Sequence, residues 1–114
     1  MSAPGNLIST SPAQLAQWLA EGKRVVVLDV RKQPAFDKNP MFIPGAVRVP
    51  PETLSEWARS NPASSPVLTY CVHGHEVSQG AAALLQGMGY EVSYLEGGLS
   101  EWQAQGHSVR SGSA

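Results

Sequence analysis

The order of apolar and polar positions along the chain predicts strands alternating with helices. After Ser11-Pro12, a cap residue followed by proline at a first helical position, Leu15, Trp18 and Leu19 fall on one helical face and Gly22 stops the helix. Residues 25–28 read Val-Val-Val-Leu, apolar on both faces, as a buried parallel strand requires. Asp29, Val30 and Arg31 leave that strand. Residues 32–41 are polar and broken by Pro34 and Pro40, with room for one short helical turn at 35–38. A turn at 43–46 leads to a short alternating strand at 47–49. Pro51 opens a short helix that turns Leu54, Trp57 and Ala58 inward, and residues 61–66 form a loop. The next strand, 67–70, ends at Cys71.

From Cys71 the loop 72–77 leads into a helix over about 78–88. Its packed face is Ala81, Ala82, Leu84, Leu85 and Met88, and Gly89 closes it. Residues 92–95 form a strand, Gly97-Gly98 a turn, and 99–105 a last helix closed by Gly106. Strand–helix units of this length imply an α/β domain whose parallel sheet is covered on both faces. Trp18, Trp57 and Trp102 stand at amphipathic helix positions and are expected in helix–sheet packing.

Composition changes this picture little. The chain has 114 residues, 42% apolar and 15% charged, which suits one small domain with one core. The net charge is −1, with no long basic or acidic run, so neither nucleic acid nor a membrane surface is an expected partner. No apolar run approaches the length of a membrane span, and residues 1–6 lack the pattern of a signal peptide. A single cysteine forms no internal disulfide, and a cytoplasmic setting that keeps it reduced is the expectation. The Ser/Gly-rich residues 108–114 are expected to fray.

Cys71 is where the pattern turns to chemistry. In open parallel sheets ligands bind outside the carboxyl ends of the strands, and Cys71 stands at such an end, with a helix starting a few residues on. Loop N–H groups and the helix N-terminus make a positive pocket there, which favours the nucleophilic thiolate. Gly74 suits a tight loop whose amides turn inward. An inert core cysteine would need no His-Gly-His-Glu loop after it.

Four fragments in order carry a family resemblance: Leu28-Asp29-Val30-Arg31; Ile43-Pro44-Gly45-Ala46 with Val49-Pro50; Tyr70-Cys71-Val72-His73-Gly74; and Leu95-Glu96-Gly97-Gly98 with Trp102. The chain resembles the rhodanese superfamily over residues 7–106, leaving 1–6 and 107–114 as flexible termini. The resemblance implies a rhodanese-like α/β fold, with a central parallel sheet of about five strands and helices on both faces. It further implies a single-domain sulfurtransferase. Cys71 would take sulfane sulfur from a small donor such as thiosulfate, hold it as a persulfide, and pass it to cyanide, a thiol or a sulfur-accepting protein. Val72, His73, Gly74, His75, Glu76 and Val77 would form the substrate-binding loop, and no cofactor would be needed.

Two departures from the family bear on substrate choice. His75-Glu76-Val77 precedes Ser78, so the loop is one residue longer than the common pattern. Longer loops are typical of the superfamily's cysteine phosphatases and arsenate reductases, but those end the loop on an oxyanion-binding arginine where this chain has Val77. Asn39-Pro40-Met41-Phe42 replaces a usual Gly-His pair before Ile43 and is expected to reshape a loop near the site. The rival readings are therefore a phosphatase or arsenate reductase on the same fold, and a non-catalytic binding or sensing module. Arg31 is a candidate substrate anchor, with an ordinary ion pair to Asp29 as its competing role. Glu76 is expected to point outward at the helix N-terminus, and His75 to sit on the loop rim. No metal is expected, since Cys71, His73 and His75 lack a second ligand cluster.

Overall fold

A computed structural model describes residues 7–61 and 64–111. The expectations for residues 1–6 and 112–114, and for 62–63 of the 61–66 loop, lie outside the described residues. In chain order the elements are β1 (Ile8–Thr10), α1 (Pro12–Ala20), β2 (Val26–Asp29), α2 (Gln33–Lys38), β3 (Met41–Phe42) and β4 (Val47–Arg48). A 3-10 turn (Pro51–Thr53) then leads into α3 (Leu54–Ser60), followed by β5 (Val67–Tyr70), α4 (Glu76–Gly87), β6 (Val92–Leu95), α5 (Gly98–Ala104) and β7 (Arg110–Ser111).

Five strands form one parallel sheet in the order β1-β6-β5-β2-β4. The apolar runs sort onto its two faces with period two. Leu28, Val30, Val67 and Val92 face Leu54 and Ala58 of α3 and Ala81, Ala82 and Leu85 of α4. Val27, Leu68, Tyr70 and Leu95 face Leu15 of α1 and Leu99 and Trp102 of α5. Each fully buried leucine on these faces stabilises the fold by about 1.5–3 kcal/mol. Trp102 is buried as expected, whereas Trp18 and Trp57 pack from half-buried positions.

The topology also positions the site. From β2 the chain runs outward to β4, then returns to β5 on the other side of β2. The segments leaving β2 and β5 therefore diverge, and a crevice opens between them at the carboxyl edge of the sheet.

Several details differ from the sequence reading. Strand β1 carries no strong apolar alternation, and parallel pairing with β6 decides it: Ile8, Ser9 and Thr10 lie opposite Ser93, Tyr94 and Leu95. Leu84 of α4 and Met88 just past its end are turned outward, 41% and 42% exposed, because the small alanines bring the other side of the helix onto the sheet. The tail is seated rather than frayed through Ser111. β7 pairs antiparallel with β3, and the Trp102 indole N–H donates to the Ser108 carbonyl at 2.8 Å.

Tyr70, fully buried at the end of β5, accepts a hydrogen bond from the Ile43 N–H at its hydroxyl (3.2 Å). Burial, and then the nearby Asp29 carboxylate, push its phenol well above the ordinary 10.0. A folded-state value above the unfolded one gives stability that is complete below about pH 10 and is lost as pH rises beyond it. Alkaline denaturation monitored between pH 9 and 12 is expected to show this loss, roughly 1.4 kcal/mol per pH unit above pH 10. Tyr70→Phe should flatten the curve.

Candidate active site

Cys71 continues the line of β5. By strand alternation its side chain falls on the α4 side, with Val67 and Thr69. The thiol is 6% exposed and donates to the Ser78 hydroxyl at 3.2 Å. Ser78 is itself fully buried in the first turn of α4, and its carbonyl accepts from the Thr69 hydroxyl at 2.9 Å, tying β5 to the helix. The helix starts at Glu76, two residues earlier than the apolar pattern suggests. Glu76 and Val77 therefore belong to its first turn, whose N–H groups have no acceptor within the helix and leave its positive end beside Cys71.

The loop is held in shape from behind by α5. The Leu99 and Ser100 N–H groups donate to the Cys71 and Val72 carbonyls, each at 2.9 Å. In a trans peptide the N–H points opposite to the C=O, so the Val72 and His73 amides are turned away from α5. Gly74, at φ +75°, lies against the Gly97-Gly98 turn, where a Cβ would come 2.6 Å from the Leu95 carbonyl oxygen. Gly98, at φ +62°, is enclosed still more tightly, its Cβ position lying 2.5 Å from the Cys71 oxygen and 2.6 Å from the Gly74 nitrogen. Both obstacles are backbone. Gly98→Ala is accordingly expected to cost about 1–2 kcal/mol from its left-handed conformation alone, and more from the contact. Urea denaturation would measure the loss, and a slower reaction of Cys71 with iodoacetamide would report the displaced loop.

A cavity of about 180 Å³ opens over Cys71. Arg31, Lys32 and Ala35, which follow β2, line one side; Val72, His73, His75, Glu76 and Val77, which follow β5, line the other. Five of the six expected loop residues thus border it, and Gly74 instead forms the support behind. His73, His75 and Glu76 are exposed, so Glu76 does lie outward at the helix start, yet it also reaches the cavity rim. The two imidazoles lie 6.2 Å apart, centroid to centroid. Among the described residues no three His, Cys, Asp or Glu side chains are grouped to hold a metal ion.

Of the two roles open to Arg31, substrate anchor or ion pair with Asp29, the structure shows the ion pair. Its side chain is 1% exposed and locked to Asp29, also 1% exposed, through Nε to Oδ1 (3.0 Å) and Nη2 to Oδ2 (2.7 Å). Nη1 donates to the Asn39 carbonyl (2.7 Å) and Nη2 to the Met41 carbonyl (2.9 Å). One N–H of the five remains for anything else. Arg48 is occupied as well, donating to the Arg31 carbonyl at 2.7 Å and to Gln33 at 3.1 Å. The cation left facing the cavity is Lys32, exposed at the start of α2. Sequence reasoning passed over Lys32, for which the only signal was its place just after a strand end. It also passed over Ser78, whose signal was its place in the first turn of the helix that follows the loop.

Comparison with known proteins places these features. The model of the Rhodanese-like domain family matches residues 11–105. A rhodanese-related protein from Thermoplasma volcanium superposes with TM-score 0.78 at 26% identity, over 90% of this chain and 97% of its own. A protein from Anabaena sp. does so with TM-score 0.77 at 32% identity, over 90% of this chain and 82% of its own. A Rhodopseudomonas palustris protein of unknown function, described as a possible tyrosine phosphatase, shares the fold with TM-score 0.79 at 24% identity, over 91% of this chain and 85% of its own.

Proposed function

Because the chain belongs to the rhodanese-like domain family, we propose that it is a sulfurtransferase that carries sulfane sulfur on Cys71. The observation that carries this reading is the position of Cys71: a thiol at a strand end, beside the first turn of α4, at a cavity sized for a small molecule. The thiolate attacks the outer sulfur of a donor such as thiosulfate. A new S–S bond forms on Cys71, the donor's S–S bond breaks, and sulfite leaves with the electron pair. Amides of residues 73–77 hold the charge on the persulfide and on the leaving group. Cyanide or a thiol, free or on a protein, then attacks the outer sulfur and restores the Cys71 thiolate. The cycle needs no cofactor, and the reduced thiol it depends on suits a cytoplasmic setting.

The phosphatase reading requires a guanidinium fork for the oxyanion. Val77 stands where that arginine would be, Arg31 is bound to Asp29, and Arg48 to backbone carbonyls and Gln33. The test is to incubate the protein with thiosulfate, record its intact mass, then add cyanide and assay thiocyanate. A gain of one sulfur atom followed by thiocyanate release is expected. No adduct from thiosulfate or from inorganic polysulfide would overturn the proposal. Turnover of an aryl phosphate would support the phosphatase instead, and neither activity would leave a binding module.

A further inference from the structure

The cavity over Cys71 has a larger neighbour of about 590 Å³, and the two share Arg31, Lys32, Ala35, Val72 and His73 as walls. The second runs away from Cys71 along α2 towards α5, past Lys38, Asn39 and Gln103. The Asn39 and Gln103 amides bridge its walls at 3.0 Å. The size falls within the range of small-molecule sites.

Its charge is one-sided. Lys32 and Lys38 are exposed on its walls, and no Asp or Glu lines it. Neither lysine has a carboxylate partner: the ion pair among the described residues is Asp29–Arg31. The cavity over Cys71 is balanced by comparison, with Lys32 on one side and Glu76 on the other. An anionic ligand reaching Cys71 is thus repelled by Glu76 on the α4 side and attracted by Lys32 and Lys38 on the α2 side. Bulk charge does not explain the groove, since the chain as a whole is at −1.

We propose that the groove formed by Lys32, Lys38 and Asn39 seats the carboxylates of a small carboxylate-bearing thiol, the acceptor of sulfur from Cys71. The inference rests on the sulfurtransferase reading and names its acceptor class. The thiolate sulfur of the acceptor attacks the outer sulfur of the Cys71 persulfide. An S–S bond forms to the acceptor, the bond to Sγ breaks, and the electron pair stays on Sγ as the thiolate. The product is the acceptor persulfide, and no redox partner is consumed. Asn39 belongs to the segment where the sequence departs from the family pattern, so the shape of the groove is set partly by residues particular to this chain.

The test loads Cys71 with polysulfide and measures transfer to mercaptosuccinate and to uncharged 2-mercaptoethanol. Each rate is normalised to that thiol's rate with a low-molecular-weight disulfide, to remove differences in thiol reactivity. Mercaptosuccinate should be preferred by about fivefold at low salt, a preference typical of exposed charge pairs, and high salt should shrink it. In the Lys32→Gln/Lys38→Gln double variant the preference should fall to near one. Equal normalised rates, or a preference surviving in the double variant, would overturn the proposal. Should no persulfide form, the sulfurtransferase reading fails, and titration with (methylthio)succinate followed by NMR decides the groove alone. Saturable shifts at residues 32–39 that vanish in the double variant support a carboxylate site, and their absence overturns it.

Discussion

Cys71→Ser is expected to abolish sulfur uptake and to lower thiocyanate formation by at least about 10³-fold, the scale on which loss of a covalent nucleophile is felt. The chain has one cysteine, so no second thiol can stand in for it. The fold should survive. A serine at this position keeps a hydroxyl within reach of the Ser78 Oγ, now 3.2 Å from Sγ, and changes the packed volume little. Stability within about 1 kcal/mol of the parent is expected by urea denaturation. A mass gain of one sulfur in the variant would remove Cys71 from the chemistry altogether. Taken with unchanged stability, complete loss of the adduct separates a catalytic role for the thiol from a packing role.

Arg31→Met should produce the largest loss of stability, about 3–5 kcal/mol, the range seen when one partner of a buried ion pair is removed. Asp29 and Arg31 are both 1% exposed, so water does little to compensate the carboxylate left behind. The substitution also strands the carbonyls of Asn39 and Met41, which now accept from Nη1 and Nη2. Adding Asp29→Leu is expected to recover only part of the loss, because those two carbonyls stay unpaired. The result bears on function as well. Arg31 holds the segment that carries Lys32, α2 and Asn39, the wall of the site facing the Cys71 loop. If Arg31→Met left stability intact and only slowed sulfur uptake, Arg31 would be acting on substrate and its assignment to the frame would be wrong.

Much of the architecture was legible in the order of residues. The largely apolar segments 25–28, 67–70 and 92–95 supply the three inner strands of the parallel sheet, β2 shifted by one residue to 26–29, because a strand covered on both faces favours apolar residues at most of its positions. Gly22, Gly89 and Gly106 mark helix ends by their left-handed backbone, each at positive φ. Weaker elements were not legible. Residues 8–10 and 110–111 carry little pattern of their own, and become strands only because β6 and β3 offer a backbone to pair with. The first turn of α4 carries no such mark, since Glu76 and Val77 have neither a capping side chain before them nor apolar spacing to announce it.

The site divides in the same way. Residue order alone was enough to single out Cys71 and the loop after it as the candidate site, because a lone cysteine stands there between an apolar strand and a glycine-containing loop. It could not determine which cation faces Cys71. Arg31 and Lys32 are adjacent in the chain, but they leave the strand end in different directions, one to a buried carboxylate and the other to solvent at the cavity mouth. Nor could it show that Gly98 is enclosed by the Cys71 and Val72 carbonyls and the Gly74 nitrogen, a contact across more than twenty residues. Local pattern reports what each segment does on its own. Which side chain meets which, and which charge is left unpaired, follows from bringing β2, β5 and α5 together at one edge of the sheet, and only the tertiary structure decides that.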